Sequence, residues 1–149
     1  MLDEKPLRDI KNKQKIREYF DNHHKVLNHL TNGKLERYKK CTIIDCHSFS
    51  NERYWFHENI SLLDICIGFE PNHTDDILVE KIKSQFSNYN VEINQPYKGS
   101  LVPTNYWNKD FRVKSVMIKI NKKLYLQDDN ITKNSNFELI NHKINNILN

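Results

Sequence analysis

No hydrophobic run in this chain approaches the length of a membrane span, which excludes an integral helical membrane protein at the level of sequence. The first residues, MLDEKPLRD, are charged and have no apolar core, so they do not read as a secretory signal, and the cytoplasm is the expected compartment. Cysteine is scarce. Cys41, Cys46 and Cys66 lie in or beside apolar strand-like stretches with no CxxC spacing, which excludes a disulfide framework and a thiolate zinc site and predicts reduced core residues. Glycine is scarce as well, with three in 149 residues, while Asn and Ile are plentiful. That bias matches skewed base usage, so the net charge of +4 that accompanies it carries little functional weight. The basic residues are mixed with acidic ones and form no clustered stripe or known module, which argues against nucleic acid as a partner. Lys39-Lys40 and Lys122-Lys123 read as solvated strand flanks.

What remains is a foldable chain. Hydrophobic residues make up 38% and charged residues 28%, with aromatics spread throughout, a composition that folds. A chain of this length forms one domain and buries roughly two-thirds of its unfolded surface. A helix is expected from about residue 11 to 30, with Ile16, Phe20, His23, Leu27 and Leu30 on one apolar face and Gly33 helping to end it. A strand over Cys41–Cys46 reads as interior because it is short, β-prone and almost uncharged. It is followed by a polar loop through Glu58, then by a strand over 64–69. The next segment, EPNHTDD, leads into a helix that Thr74 caps, with Asp75 and Asp76 at its positive end and Ile77, Leu78, Ile82 and Phe86 on its buried face. A strand over 90–94 leads to the turn QPYKGS. The strand that follows alternates Val116, Ile118 and Ile120 with Ser115, Met117, Lys119 and Asn121. A last helix covers about 135–148. Strands separated by helices specify an α/β class.

The chemistry concentrates at the end of the run IIDCHSFS. Asp45 and His47 share one strand face, near the carboxyl end of a strand, where open α/β sheets place their sites. They read either as a metal-ligating histidine with its carboxylate or as a loop-orienting aspartate beside a partly exposed imidazole. A lone DxH brings no count of ligands. His23, His24, His29, His57, His73 and His142 have no spacing that specifies zinc, and no HExxH motif is present.

IIDCHSFS, DICIG, VEINQPYKGS, VPTNYW and VKSVMIKINKKLYL, in this order, resemble the N-formylglutamate amidohydrolase family. The resemblance runs from the Arg17 helix to Asp128 and implies a single domain over 1–149, N-terminally truncated and covering only the C-terminal part of a typical member. The implied fold is a partial phosphorylase/hydrolase-like three-layer α/β/α domain with a mostly parallel or mixed sheet. The implied activity is zinc-dependent hydrolysis of N-formyl or amide bonds. Carried over by residue, His47 is the zinc ligand supported by Asp45, His24 contacts substrate, and Asn94, Pro96, Tyr97 and Gly99 form the NxPYxG loop. The resemblance also exposes two departures. The implied upstream zinc ligands have no counterpart, so zinc is left with an incomplete ligand set in this chain. Lys119 stands where the family pattern has its general-base glutamate, and an ammonium has no lone pair to accept a proton. Lys122 replaces an arginine and loses its two-pronged carboxylate grip.

Two functions therefore stand side by side: an amidohydrolase-like zinc hydrolase, weak or inactive alone, and a non-catalytic carboxylate- or anion-binding or interaction module on the same fold. For the second, Asn94 and Tyr97 either recognise ligand or only pin a tight loop. Expected partners are a small carboxylate or N-formyl amino acid and a second copy or complementary upstream polypeptide covering exposed apolar surface.

Overall fold

The computed structural model describes residues 13–50 and 63–148. In chain order these form α1 (Lys13–Tyr38), β1 (Cys41–Phe49), β2 (Ile65–Gly68), α2 (Asp76–Gln85), β3 (Val91–Ile93), β4 (Val113–Asn121), a one-turn 3-10 helix (Lys122–Leu124) and α3 (Phe137–Leu148). The sheet order is β1-β4-β2-β3. β1 runs parallel to β4 and β2 parallel to β3, while β2 and β4 are antiparallel. The domain is thus a three-layer α/β/α arrangement on a mixed sheet, as the sequence pattern and the resemblance imply.

The sheet's two faces carry different cores. Ile65, Ile67, Val116 and Ile118 pack under Val79 and Ile82 of α2, Phe86 just after it, and Ile140 and Ile147 of α3, and each fully buried large apolar side chain contributes about 1.5–3 kcal/mol. On the other face a smaller cluster joins Leu35 of α1 to Cys41, Val102 and Val113. Tyr106 packs on that cluster, and the Asn105 amide donates to Asn28 Oδ1 at 3.4 Å. The 101–112 loop is thereby clamped between α1 and the sheet.

Buried His73 fixes the far end of the same loop. Its Nε2 accepts the Asn108 backbone N–H at 2.9 Å, so Nδ1 carries the proton and donates to the Val113 carbonyl at 2.8 Å. Thr74 does not cap α2. Its hydroxyl donates to Ser115 O at 2.6 Å and accepts from Glu70 N at 2.8 Å, and Asp75 takes the N-cap position with no side-chain capping bond. Long-range partners outcompeted the local cap.

Other expectations are corrected by the fold. α1 continues through Gly33, because an interior glycine costs a helix only about 1 kcal/mol. The helix ends at Lys39, whose left-handed φ of 59° and N–H bond to Leu35 O at 2.9 Å make the terminating turn. Its buried residues are Thr31 and Leu35, whereas Ile16, Phe20 and Leu30 are exposed. Ile77 of α2 is 86% exposed instead of core. β1 is three residues longer than expected and, among the described residues, pairs with β4 alone. Ile43 and Ile44 near its start pack on opposite faces of the sheet. Cys46, expected in the core, is exposed; Cys41 and Cys66 are buried, and all three are free. The loop expected through Glu58, with His57, lies outside the described residues.

Candidate functional site

β1 and β4 place His47 beside Lys119 in register, and β2 places Cys66 on the other side of Lys119. β3 adds Glu92 opposite Cys66. Paired residues on neighbouring strands point to one face, so His47, Lys119, Cys66 and Glu92 form a transverse row. Asp45 lies on that face two residues before His47. Its Oδ1 is 2.9 Å from His47 Nε2, with the histidine side chain 48% exposed and the aspartate 19%. The shared face and the carboxylate–imidazole pairing expected from DxH are both present.

The loop after β3 lies over this row. Asn94 adopts a left-handed φ of 56° and the Gln95–Pro96 bond is cis. The Asn94 side chain is fully committed to backbone: Oδ1 accepts from Phe69 N at 2.8 Å and from Gly99 N at 3.0 Å, and Nδ2 donates to Phe69 O at 3.1 Å. These bonds set the path that brings Tyr97 back over the sheet. The Tyr97 carbonyl accepts the Cys66 thiol at 3.3 Å, and its ring packs 5.6 Å from Phe49. Gly68 allows this close approach. A Cβ there would stand 2.0 Å from the Gly99 carbonyl oxygen and 2.7 Å from Met117 Cε.

Lys119 is the electrostatic centre. Its Nζ is 3.4 Å from the Tyr97 ring centroid, a cation–π arrangement. Burial pushes its amine below the ordinary lysine value, with the charges of Cys66 and Asp45 opposing that shift. Burial pushes the Cys66 thiol up. Among the described residues no carboxylate lies within ion-pair distance of Lys119, and the nearest sequence candidate, Asp45, is held by His47.

Among the described residues, His24 Nδ1 and Ser100 Oγ are buried without a hydrogen-bond partner. His24 belongs to α1, stacked 4.2 Å from Phe20 and 5.3 Å from His23. Ser100 follows Gly99 in the loop. Ser100 and Cys66 lie within the stretches VEINQPYKGS and DICIG, but nothing local to either stretch puts Cys66 beside Lys119, which the strand register sets. Lys122 lies beyond the carboxyl end of β4 on the 3-10 helix.

A hydrolytic zinc takes three protein ligands and an open position. Among the described residues no group of three or more His, Cys, Asp or Glu side chains converges. Asp45 and His47 face each other, and the neighbouring side chain across β4 is a cation. The described residues do not fit that metal.

The family model described as N-formylglutamate amidohydrolase matches residues 1–126. The crystal structure of N-formylglutamate amidohydrolase from Ralstonia eutropha JMP134 superposes with a TM-score of 0.74 at 22% identity, over 91% of this chain and 50% of that one. This chain thus spans about half the length of that solved relative, and the likeness shows the fold. No curated protein matches the sequence. The family match corrects the expected extent of the resemblance: it begins at residue 1, covers the N-terminal and greater part of the chain and leaves α3 outside, so it does not describe a C-terminal fragment. The legible motifs all follow residue 42, while a helix such as α1 retains family character as periodicity without a motif. The chain belongs to the N-formylglutamate amidohydrolase family.

Proposed function

We propose that this chain binds a small carboxylate, of the N-formyl amino acid kind its family handles, through the ammonium of Lys119. The observation that carries the reading is the placement of that ammonium at the middle of the sheet, against Tyr97 and without a carboxylate partner among the described residues. A carboxylate ligand supplies the missing counter-charge, and a charge-assisted hydrogen bond is worth about 1.5–3 kcal/mol. Tyr97 lays its ring against the ammonium, and Asn94 holds the loop that carries it.

This is a binding role without hydrolysis by the described residues. Lys119 at the general-base position holds protons on nitrogen with no free acceptor, so no proton-abstraction step is assigned to it. A second reading, a zinc-dependent hydrolase of N-formyl or amide bonds that is weak or inactive alone, draws on family membership and on the Asp45–His47 pair, since a carboxylate beside an imidazole is how proteins orient a ligating histidine.

Titration calorimetry with N-formylglutamate and with acetate tests the first reading. Binding that weakens roughly 10- to 100-fold in Lys119→Met supports it, and equal affinity in wild type and variant sinks it. Metal analysis after zinc-replete purification tests the second. Stoichiometric zinc lost in His47→Ala, with hydrolysis gained in Lys119→Glu, would establish the hydrolase; a metal-free protein would remove it.

A further inference from the structure

We infer that α1 pairs with the α1 of a second copy of this chain, the two helices running antiparallel along the side of α1 that the sheet leaves uncovered. Thr31 and Leu35 are the buried residues of α1, so the helix before Thr31 contributes no buried residue. Helices in proteins draw most of their stability from packing an apolar face. Ile16, Tyr19, His23, Val26, Leu30 and Gly33 recur at alternating spacings of three and four residues, the pattern of a seam between paired helices. At 3.6 residues per turn the seam is rotated about 130° from the side that carries Thr31 and Leu35. Asn28 and Asn32, which meet Asn105 and Tyr106 of the 101–112 loop, lie on the opposite side of the helix, so that loop leaves the seam open. Its large apolar members are exposed, Tyr19 by 68%, Val26 by 58% and Leu30 by 59%.

The seam is complementary to itself in one register. With a two-fold axis between His24 and Lys25, antiparallel helices set Ile16 against Gly33 of the second copy, Tyr19 against its Leu30 and His23 against its Val26, and symmetry repeats each pair. Gly33 gives this register its shape. A Cβ there would meet nothing within 4 Å, and the hollow beside Leu30, Lys34 and Arg37 measures about 240 Å³. A space of roughly 150 Å³ accommodates benzene, so the hollow receives the branched side chain of Ile16. A parallel pair would set Gly33 against Gly33 and His23 against His23, leaving the hollow empty. Charge favours the same register: Lys15 falls opposite Glu36 of the second copy, twice per dimer, while the opposing Lys13 and Lys34 meet only at its outer ends. Glu36 Oε1 accepts from Asn32 Nδ2 at 2.7 Å, and a carboxylate has lone pairs for a second donor.

Sedimentation equilibrium of the purified chain across micromolar concentrations tests the inference, and the expected species has twice the mass of one chain. Leu30→Glu and Tyr19→Lys each put an unpaired charge into the seam at a position exposed in the single chain, and each is expected to weaken association roughly 100-fold or more. Ile131→Glu, at an exposed apolar residue outside α1, is expected to leave association unchanged. Lys15→Glu should weaken it about threefold or more, and combining Lys15→Glu with Glu36→Lys should restore it, an outcome that a merely nonspecific apolar contact would not give. A monomer at every concentration overturns the inference and leaves the α1 face to a different polypeptide. A dimer that survives Leu30→Glu and Tyr19→Lys, or that Ile131→Glu weakens equally, also overturns it by placing the contact elsewhere. Failure of the charge exchange to restore association overturns the antiparallel register.

Discussion

The ammonium of Lys119 lies 3.4 Å from the centre of the Tyr97 ring, and this contact joins the central strand to the loop that crosses it. The ring face favours the charged amine, while partial burial disfavours it, and burial wins, so the amine titrates below the ordinary lysine value of 10.5. Carboxylate binding is accordingly expected to hold at neutral pH and fade as pH rises through this lowered value, earlier than an unperturbed lysine would allow. The stability consequence has a definite sign. Between the lowered value and 10.5 the unfolded chain binds more protons than the folded one, so stability attributable to Lys119 rises with pH in that window. Urea titrations across alkaline pH check it: Lys119→Met should lack this rise, and identical pH profiles would refute the assignment.

Gly68 and Gly33 should respond oppositely to alanine. A Cβ on Gly68 meets the Gly99 carbonyl oxygen at 2.0 Å, and Asn94 holds Gly99 in place, so Gly68→Ala is expected to lose about 3 kcal/mol or more. Gly33 sits inside α1 with nothing within 4 Å of a Cβ, and Gly33→Ala should gain about 0.8–1 kcal/mol. Denaturation midpoints of the pair decide the matter, and a tolerated Gly68→Ala would contradict the loop placement.

His73→Leu removes the acceptor of Asn108 N–H and the donor to Val113 O. Both backbone groups then lose their partner near a buried position, and the expected cost is about 2–5 kcal/mol. Amide exchange at Asn108 reports on the same bond, and unchanged protection in the variant would rule out the hydrogen bond's role.

The three thiols should separate by accessibility. Cys46 is exposed, whereas Cys41 and Cys66 are buried, and burial raises both buried thiols. Iodoacetamide followed by mass spectrometry is expected to give one adduct, at Cys46, on the native protein and three in urea. Prompt native labelling of Cys66 would show that the Tyr97 loop does not cover it.

Much of the fold was legible. α3, β4 and the fully buried β2 follow from periodicity and apolar content, and the Asp45–His47 pairing follows from strand alternation. Thr74 reads as a cap from its chain neighbours, and its hydrogen bond to Ser115 O, far along the chain, sets the outcome instead, whereas Gly33 is passed by a helix that ends at the left-handed Lys39. The apolar spacing of α1 marks a helix correctly, yet its docked residues are Thr31 and Leu35, because only the second half of the helix meets the 101–112 loop.

For the candidate site, the sequence alone determined which residue types were available: the DxH pair, the NxPYxG loop and a lysine in place of glutamate. Tertiary structure decided what they do to one another. Strand register set Lys119 between His47 and Cys66, and the Asn94 bonds folded Tyr97 over the amine. His47 also lines a pocket with Ile140 and Ile144 of α3. Alternation along a strand is local and can be read from spacing, whereas register between strands depends on pairing between residues as far apart as His47 and Lys119.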